Sequence, residues 1–278
     1  MNKENLLSKI SKMSEEELKD LARSTSDVGI LNILAENENY KVRCTVVGNK
    51  NTPVEKLTVL AQDENLWVRQ TVALNENTSV DVLAMLAKNK EWQVRRAVAK
   101  NKNTSVETLA MLASDKEEWI RWAVAENENT PKEALAVLVQ DEDGRVRSAV
   151  AGNINTPIEL LSVLAQDKHW LVRQTVAKNE NTPKETLAML ADDCDLGIRQ
   201  NVAGNKNAPK EALVKLAGDR DYGVRKAVVN NPNTSYNTLL MLSKVKAVEI
   251  REKAKEVLKE RALKANTDRK SVGRERVC

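Results

Sequence analysis

The chain has 278 residues, 44 basic against 40 acidic, with no Phe and an aromatic share of 3%. That composition excludes one large core built around bulky rings, and a net charge of +4 is too small to suggest a surface saturated with phosphate contacts. No stretch approaches the roughly 20 apolar residues of a membrane span, and the opening MNKENLLSKISKMSEEELKD lacks the apolar segment of a secretory signal. The expectation is a soluble, cytoplasmic chain that does not enter a membrane.

Residues 1–24, with SEEELKDLA as an acid-started helix, are expected to cap one end of the molecule. From about residue 25 the chain is repetitive. Val-Arg or Ile-Arg recurs at Arg43, Arg69, Arg95, Arg121, Arg147, Arg173, Arg199, Arg225 and Arg251, always 26 residues apart. Asparagine keeps the same phase from Asn49 to Asn231, and again two residues later from Asn51 to Asn233. Nine copies without an insertion or deletion indicate a repeat architecture.

Each unit carries two helix signals. The first starts at Thr-Pro or Thr-Ser with an acid three residues after the Thr, as in Thr52-Pro53-Val54-Glu55, Thr130-Pro131-Lys132-Glu133 and Thr182-Pro183-Lys184-Glu185. That spacing predicts a capping box, with Thr at the N-cap and Pro at the first helical position. Behind it Leu57, Leu60 and Ala61 form an apolar face, while Val59 and its equivalents Met85, Met111 and Met189 form a second one. Apolar residues on two sides predict a helix sandwiched between neighbours. The second helix is expected to start at Asp63, Asp115, Asp141, Asp167, Asp193 or Asp219 as N-cap. It should end at the Asn in a left-handed conformation. Val68 and Val72 define its core edge, and Ala73 a side of close backbone approach.

Two short helices per unit cannot bury their own faces, so the copies must stack into an all-α solenoid. The expected organisation is a capping segment at 1–24, a helical repeat array at 25–247, a capping helix at 248–265 and a basic, structureless tail at 266–278.

The chemistry on offer is narrow. Cys44, Cys194 and Cys278 share no CxxC-like spacing and leave an odd one over, so neither a disulfide framework nor a zinc site is indicated. The single His169 stands in HWLVRQ, which resembles no nucleophile motif. No catalytic role, no metal and no cofactor are therefore expected.

The motif VRxxVAxNxNTPxExLxxLAxD, held over about residues 25–254, resembles the leucine-rich repeat variant family, a bacterial repeat class, and more distantly HEAT-type helical repeats. The resemblance implies a right-handed superhelix whose unit pairs an α-helix with a second helix that can be of 3₁₀ type. The capping signals lead to the expectation of true α-helix in both. An iron-sulfur cluster is associated with one branch of the family; no cysteine precedes Cys44, so it is not carried over. The family implies a binding role without naming a partner.

Positions constant in every copy read as structural, and those that vary can encode recognition. The regular Arg ladder is expected to bond the Asp or carbonyls of a neighbouring unit, as a planar five-donor fork can. The Asn pairs are expected to form loop-to-loop ladders. Three residues before the Arg stand Tyr40, Leu66, Trp92, Glu118, Gly144, Trp170, Leu196 and Tyr222; two before it, Trp67, Gln93, Trp119, Arg145, Leu171, Gly197 and Gly223; one after it, Cys44, Gln70, Arg96, Trp122, Ser148, Gln174, Gln200 and Lys226. All five tryptophans fall in these columns, on the side of the helix away from its core Val. Trp67 and Tyr40 are expected to seal an end of the stack. Trp92, Arg96, Trp119, Trp122, Arg145, Trp170, Gln174, Tyr222 and Lys226 are the candidate partner-binding residues, with rings as anchors and long polar groups as adaptable contacts.

The charge divides unevenly. Residues 244–278 hold 12 basic and 6 acidic residues, which leaves 32 and 34 for the rest of the chain. The basicity belongs to the C-terminal segment, so a protein or peptide partner is expected for the repeats. A nucleic-acid-binding, HEAT-like solenoid, glycosylase-like or non-specific, is the alternative.

Overall fold

The computed structural model describes residues 3–274. It contains helices and no strand among those residues, and they fall into two compact units, Met1–Gln140 and Asp141–Cys278. The first unit holds α1 (Lys3–Ile10), α2 (Glu15–Ser24), α3 (Val28–Leu34), α4 (Tyr40–Val47), α5 (Val54–Leu60), α6 (Leu66–Leu74), α7 (Val80–Leu86), α8 (Trp92–Lys100), α9 (Val106–Leu112), α10 (Glu118–Glu126) and α11 (Lys132–Leu138). The second holds α12 (Gly144–Gly152), α13 (Ile158–Leu164), α14 (Trp170–Lys178), α15 (Lys184–Leu190), α16 (Leu196–Gly204), α17 (Lys210–Leu216), α18 (Tyr222–Asn230), α19 (Tyr236–Leu242) and α20 (Val248–Arg274). No described helix is long and apolar enough to cross a membrane.

Every repeat alternates a seven-residue first helix with a longer second one, and both are α-helical. Within each unit the second helices lie side by side, α4 on α6 on α8 on α10, and α12 on α14 on α16 on α18. The seam between them is filled by small and branched residues, with Val68, Val72 and Ala73, then Val94, Val98 and Ala99, fully buried. From the first helices Leu57, Leu60 and Ala61, and their counterparts Leu83, Leu86 and Ala87, close the core. Thin layers of Leu, Val and Ala thus replace the missing Phe.

The second apolar column of the first helices is not buried. Val59 is 62% exposed, and Met85, Met111 and Met189 are exposed as well. A sandwiched first helix was the expectation. The close packing runs through the second helices instead, which leaves the outer side of each first helix in water.

The joints differ from the expected caps, each for a local reason. The helix following Thr52 begins at Val54, with Pro53 still extended at φ −60° and ψ 145°. The Thr side chain does not reach forward because it is already engaged behind. The Thr104 hydroxyl donates to the Val98 carbonyl at 2.6 Å, as Thr78 does to Val72, filling an acceptor that the preceding helix leaves open. Where Ser replaces Pro it caps instead: the Ser105 hydroxyl accepts the Thr108 amide at 3.2 Å.

The second helix starts three residues later than the Asp, at Leu66 after Asn65 and at Leu196 after Asp195. Asp63 accepts the Asn65 amide at 2.8 Å in an Asx turn, which keeps its carboxylate free for other work. The helix then closes on an extended asparagine, Asn101 at φ −73° and ψ 131°, and no described residue has a positive φ. A left-handed closure is not needed, because Asn101 Oδ1 accepts the Asn103 amide at 2.8 Å and turns the chain itself.

Both ladders are present. Arg95 donates Nε and Nη2 to the Asp115 carboxylate of the next repeat at 2.6 and 3.0 Å, and Nη1 to the Asn89 and Lys90 carbonyls of its own loop. Arg43 with Asp63, Arg147 with Asp167, Arg173 with Asp193 and Arg199 with Asp219 repeat the clasp. Asn101 Nδ2 reaches back to the Ala73 and Asn75 carbonyls of the preceding repeat, and Asn103 to that of Glu76.

The N-terminal segment is two helices, not one, and α2 behaves as a second helix: Asn49 donates to its Ala22 carbonyl at 2.7 Å. At the other end Arg261 of α20 donates to the Thr234 and Pro232 carbonyls, where the next asparagine would have stood. Helix α20 continues past residue 265 to Arg274, so residues 266–274, expected to lack structure, prolong it. Its Lys and Glu residues pair within the helix, Lys253 with Glu256 and Lys255 with Glu252, which supports a long polar helix. Residues 275–278, the rest of the expected tail, lie outside the described residues.

Candidate functional site

The variable columns occupy the outward face of the second helices, since the core Val and Ala take the opposite side. In the first unit this face carries exposed rings on three successive helices: Trp67 on α6 at 50%, Trp92 on α8 at 36% and Trp119 on α10 at 39%. Trp67 was expected to seal an end; it stands in the open column instead. Tyr40 is half-buried.

Between α8 and α10 the side chains converge. The Trp119 and Trp122 rings meet edge to face at 6.4 Å and 85°. The Arg96 guanidinium lies over both, 5.8 Å from the first centroid and 5.6 Å from the second, and Lys100 Nζ lies 5.4 Å from the Trp122 ring. Each such cation-ring contact is worth about 0.5–2 kcal/mol depending on desolvation. Burial pushes the nearby Glu126 carboxyl above its ordinary value, against the pull of Lys100 and Arg96. Arg96 Nε and the Gln70 and Gln93 Oε1 atoms are buried without a hydrogen-bond partner. Rings, fixed cations and unsatisfied polar atoms thus share one face.

The remaining candidates lie in the second unit, each with neighbours of its own. Trp170 is 50% exposed and stacks on His169 at 6.3 Å and 20°. Arg145 is clasped to Asp143, its own N-cap, at 2.5 Å. Gln174 packs over Gly197, its Nε2 3.3 Å from where a β-carbon would sit. Tyr222 and Lys226 converge, the ammonium 5.9 Å from the ring, but both hold Glu249 of α20. These last two are thus tied to the closing helix while remaining exposed, Tyr222 at 39%.

Of the nine candidates, Arg96, Trp119 and Trp122 form one cluster, with Trp92 exposed on the same helix as Arg96. Absent from the expected set is the column five residues after the Arg, which brings Leu74, Lys100 and Glu126 to this face. Its signal was available, because those residues continue the i, i+4 row from Gln70, Arg96 and Trp122. His169 spends Nδ1 on the Leu171 amide at 3.2 Å, and burial pushes the Cys44 thiol above its ordinary value. Among the described residues no group of three or more His, Cys, Asp or Glu side chains could hold a metal ion.

No curated protein matches the chain. A crystal structure of an engineered protein is similar over 93% of this chain and 98% of that one, at 16% identity and a TM-score of 0.42, too low to carry an argument. A solved leucine-rich repeat variant, described as having a novel repetitive structural motif, matches with a TM-score of 0.61 and 25% identity, covering 79% of this chain and 87% of that one. The family model for the leucine rich repeat variant matches residues 92–117, one complete unit. The unit recurring every 26 residues is thus of the leucine-rich repeat variant kind, and the chain is an all-helical repeat protein built from it.

Proposed function

We propose that the chain is a non-enzymatic, cytoplasmic scaffold that binds a peptide or folded protein along the outward face of α6, α8 and α10. The observation that carries this reading is the exposure of Trp67, Trp92 and Trp119 on three consecutive helices. Covering such a ring removes apolar area from water, worth about 1.5–3 kcal/mol for a large side chain, and tryptophan is among the commonest binding anchors. Arg96, braced on two rings, offers a cation whose entropy is already spent. The small excess of acidic over basic residues outside the C-terminal segment favours a protein partner over a polynucleotide.

The test is the double substitution Trp67→Ala with Trp92→Ala, compared with wild type in affinity capture from the native cell. The expected result is loss of specific capture with unchanged circular dichroism and melting. Retained capture would remove the face from consideration, and an unfolded variant would reassign both rings to packing. Tight, salt-sensitive binding of single-stranded RNA or DNA by residues 1–265 would replace a protein partner with a nucleic acid.

A further inference from the structure

The Arg-Asp ladder is interrupted at one step within the first unit. In the five clasps described above, Nε donates to Oδ2 of the next repeat's Asp at 2.6–2.7 Å and Nη2 to Oδ1 at 2.8–3.2 Å. Arg69 is held in the same way from behind, with Nη1 on the Asp63 and Glu64 carbonyls at 2.7 and 2.9 Å. The residue it faces 20 positions later is Asn89 rather than Asp. Asn89 keeps Oδ1 on the Glu91 amide at 3.1 Å, as each Asp does in its own turn. Its other terminal atom is then a nitrogen, a donor where an Asp presents an acceptor. Arg69 Nε is accordingly buried without a hydrogen-bond partner.

An open cleft of about 600 Å³ lies beside this defect, lined by Arg69, Lys88, Asn89, Lys90, Glu64 and Glu91 among others. Its acids have cations nearby: Glu64 lies 3.9 Å from Arg43, and Glu91 3.9 Å from Lys90. Arg69 and Lys88 are lining cations with no ion-pair partner among the described residues. A buried guanidinium NH without an acceptor is costly, more so than for a neutral donor, and the fork is held rigid before any ligand arrives.

We infer that the Arg69–Asn89 step is a binding site for a carboxylate supplied from outside the chain. The chain itself displays the ligand chemistry, since every other described clasp of this geometry closes on a carboxylate. A planar two-oxygen acceptor matches the fork, which a compact ammonium in place of Arg69 would not reproduce. The site uses none of the tryptophans, so it stands whether or not the aromatic face docks a partner.

The experiment tracks the Arg Nε–H resonances of the full chain by ¹⁵N NMR while sodium acetate is added, against sodium chloride at equal ionic strength. Loss in Arg69→Lys identifies the Arg69 signal. The expected result is a saturable shift of that signal with acetate and not with chloride, while Arg43 and Arg95, already clasped, do not move. Asn89→Asp supplies the carboxylate internally and should abolish the response. An unmoved Arg69 signal, an equal response to chloride, or a response that persists in Asn89→Asp would overturn the inference. N-acetylglycine mimics a chain terminus and the α-amide of N-acetylaspartate an acidic side chain. A lower half-saturation for either than for acetate supports the site and names the source.

Discussion

Replacing Asp115 by Asn removes one clasp while leaving its shape nearly intact. Asp115 accepts Arg95 Nε at 2.6 Å and Nη2 at 3.0 Å, and the Glu117 amide at 3.0 Å. The asparagine retains Oδ1 for Glu117, so what disappears is the Nε acceptor and the charge. Breaking a buried ion pair can cost ~3–5 kcal/mol. Arg95, though 8% exposed, keeps the Asn89 and Lys90 carbonyls at 2.9 and 3.0 Å on Nη1. The cost therefore falls toward that of one unsatisfied donor, and a loss of about 2 kcal/mol is expected at pH 7. The pH dependence supplies a second readout. Burial works to raise the Asp115 carboxyl, but the Arg95 bond, the Glu117 amide and the Arg95 charge together hold it below its ordinary 3.8. A carboxyl depressed in the folded state stabilises above its unfolded pKa, and that stability is lost as pH falls through the lower folded value. The gap between wild type and Asp115→Asn should be constant from pH 7 to pH 5 and begin to close below about pH 4. Urea unfolding monitored by far-UV circular dichroism between pH 7 and pH 3 measures it. A gap under about 0.5 kcal/mol at pH 7, the scatter of an ordinary surface change, or one that does not narrow in acid, would refute the reasoning.

Two further comparisons each set one position against another. Gly204→Ala, with nothing within 4 Å of the added carbon, should stabilise by roughly 0.5–1 kcal/mol through helix propensity, whereas Gly144→Ala should destabilise, because its β-carbon would lie 2.9 Å from the His169 ring; thermal melting of the pair checks both signs. Ser105→Ala should cost about 1 kcal/mol as a lost N-cap, and Thr104→Val a similar amount through the open Val98 carbonyl. Hydrogen exchange separates the two, with faster exchange at the Thr108 amide expected only in the serine variant.

The repeat, the helix pair and the ladders were legible because each is written as a residue type at a constant phase. Arg95, Asn101 and Leu109 could be assigned to structure by their recurrence. The joints were misread because one residue served two demands. Thr104 fits an N-cap by type, but the nearer need is the Val98 carbonyl behind it. Asp115 fits both an N-cap and a partner for the Arg of a neighbouring repeat, and the Arg95 clasp from 20 residues earlier takes its carboxylate, which moves the helix start three residues on. The exposed Met85 and Met111 column escaped for a related reason. Helical periodicity reports which residues share a face, not which of two apolar faces a neighbour covers. The Trp119–Trp122–Arg96 cluster lies across two helices, so only its columns were visible in advance.

The bonds between repeats are addressed by fixed sequence distances: 20 residues from Arg to Asp, and 26 and 28 from an asparagine to the carbonyls behind it. An address of that kind survives duplication. Away from the Asn89 step, copying or excising a block of one period returns each donor to an acceptor of the same type, because the new neighbour presents the same atoms at the same offset. A gene encoding such a chain can therefore lengthen or shorten by recombination between its own copies without opening a joint, while single-residue changes in the variable columns alter what each copy displays. Evolution of length and evolution of surface are decoupled by the joint itself.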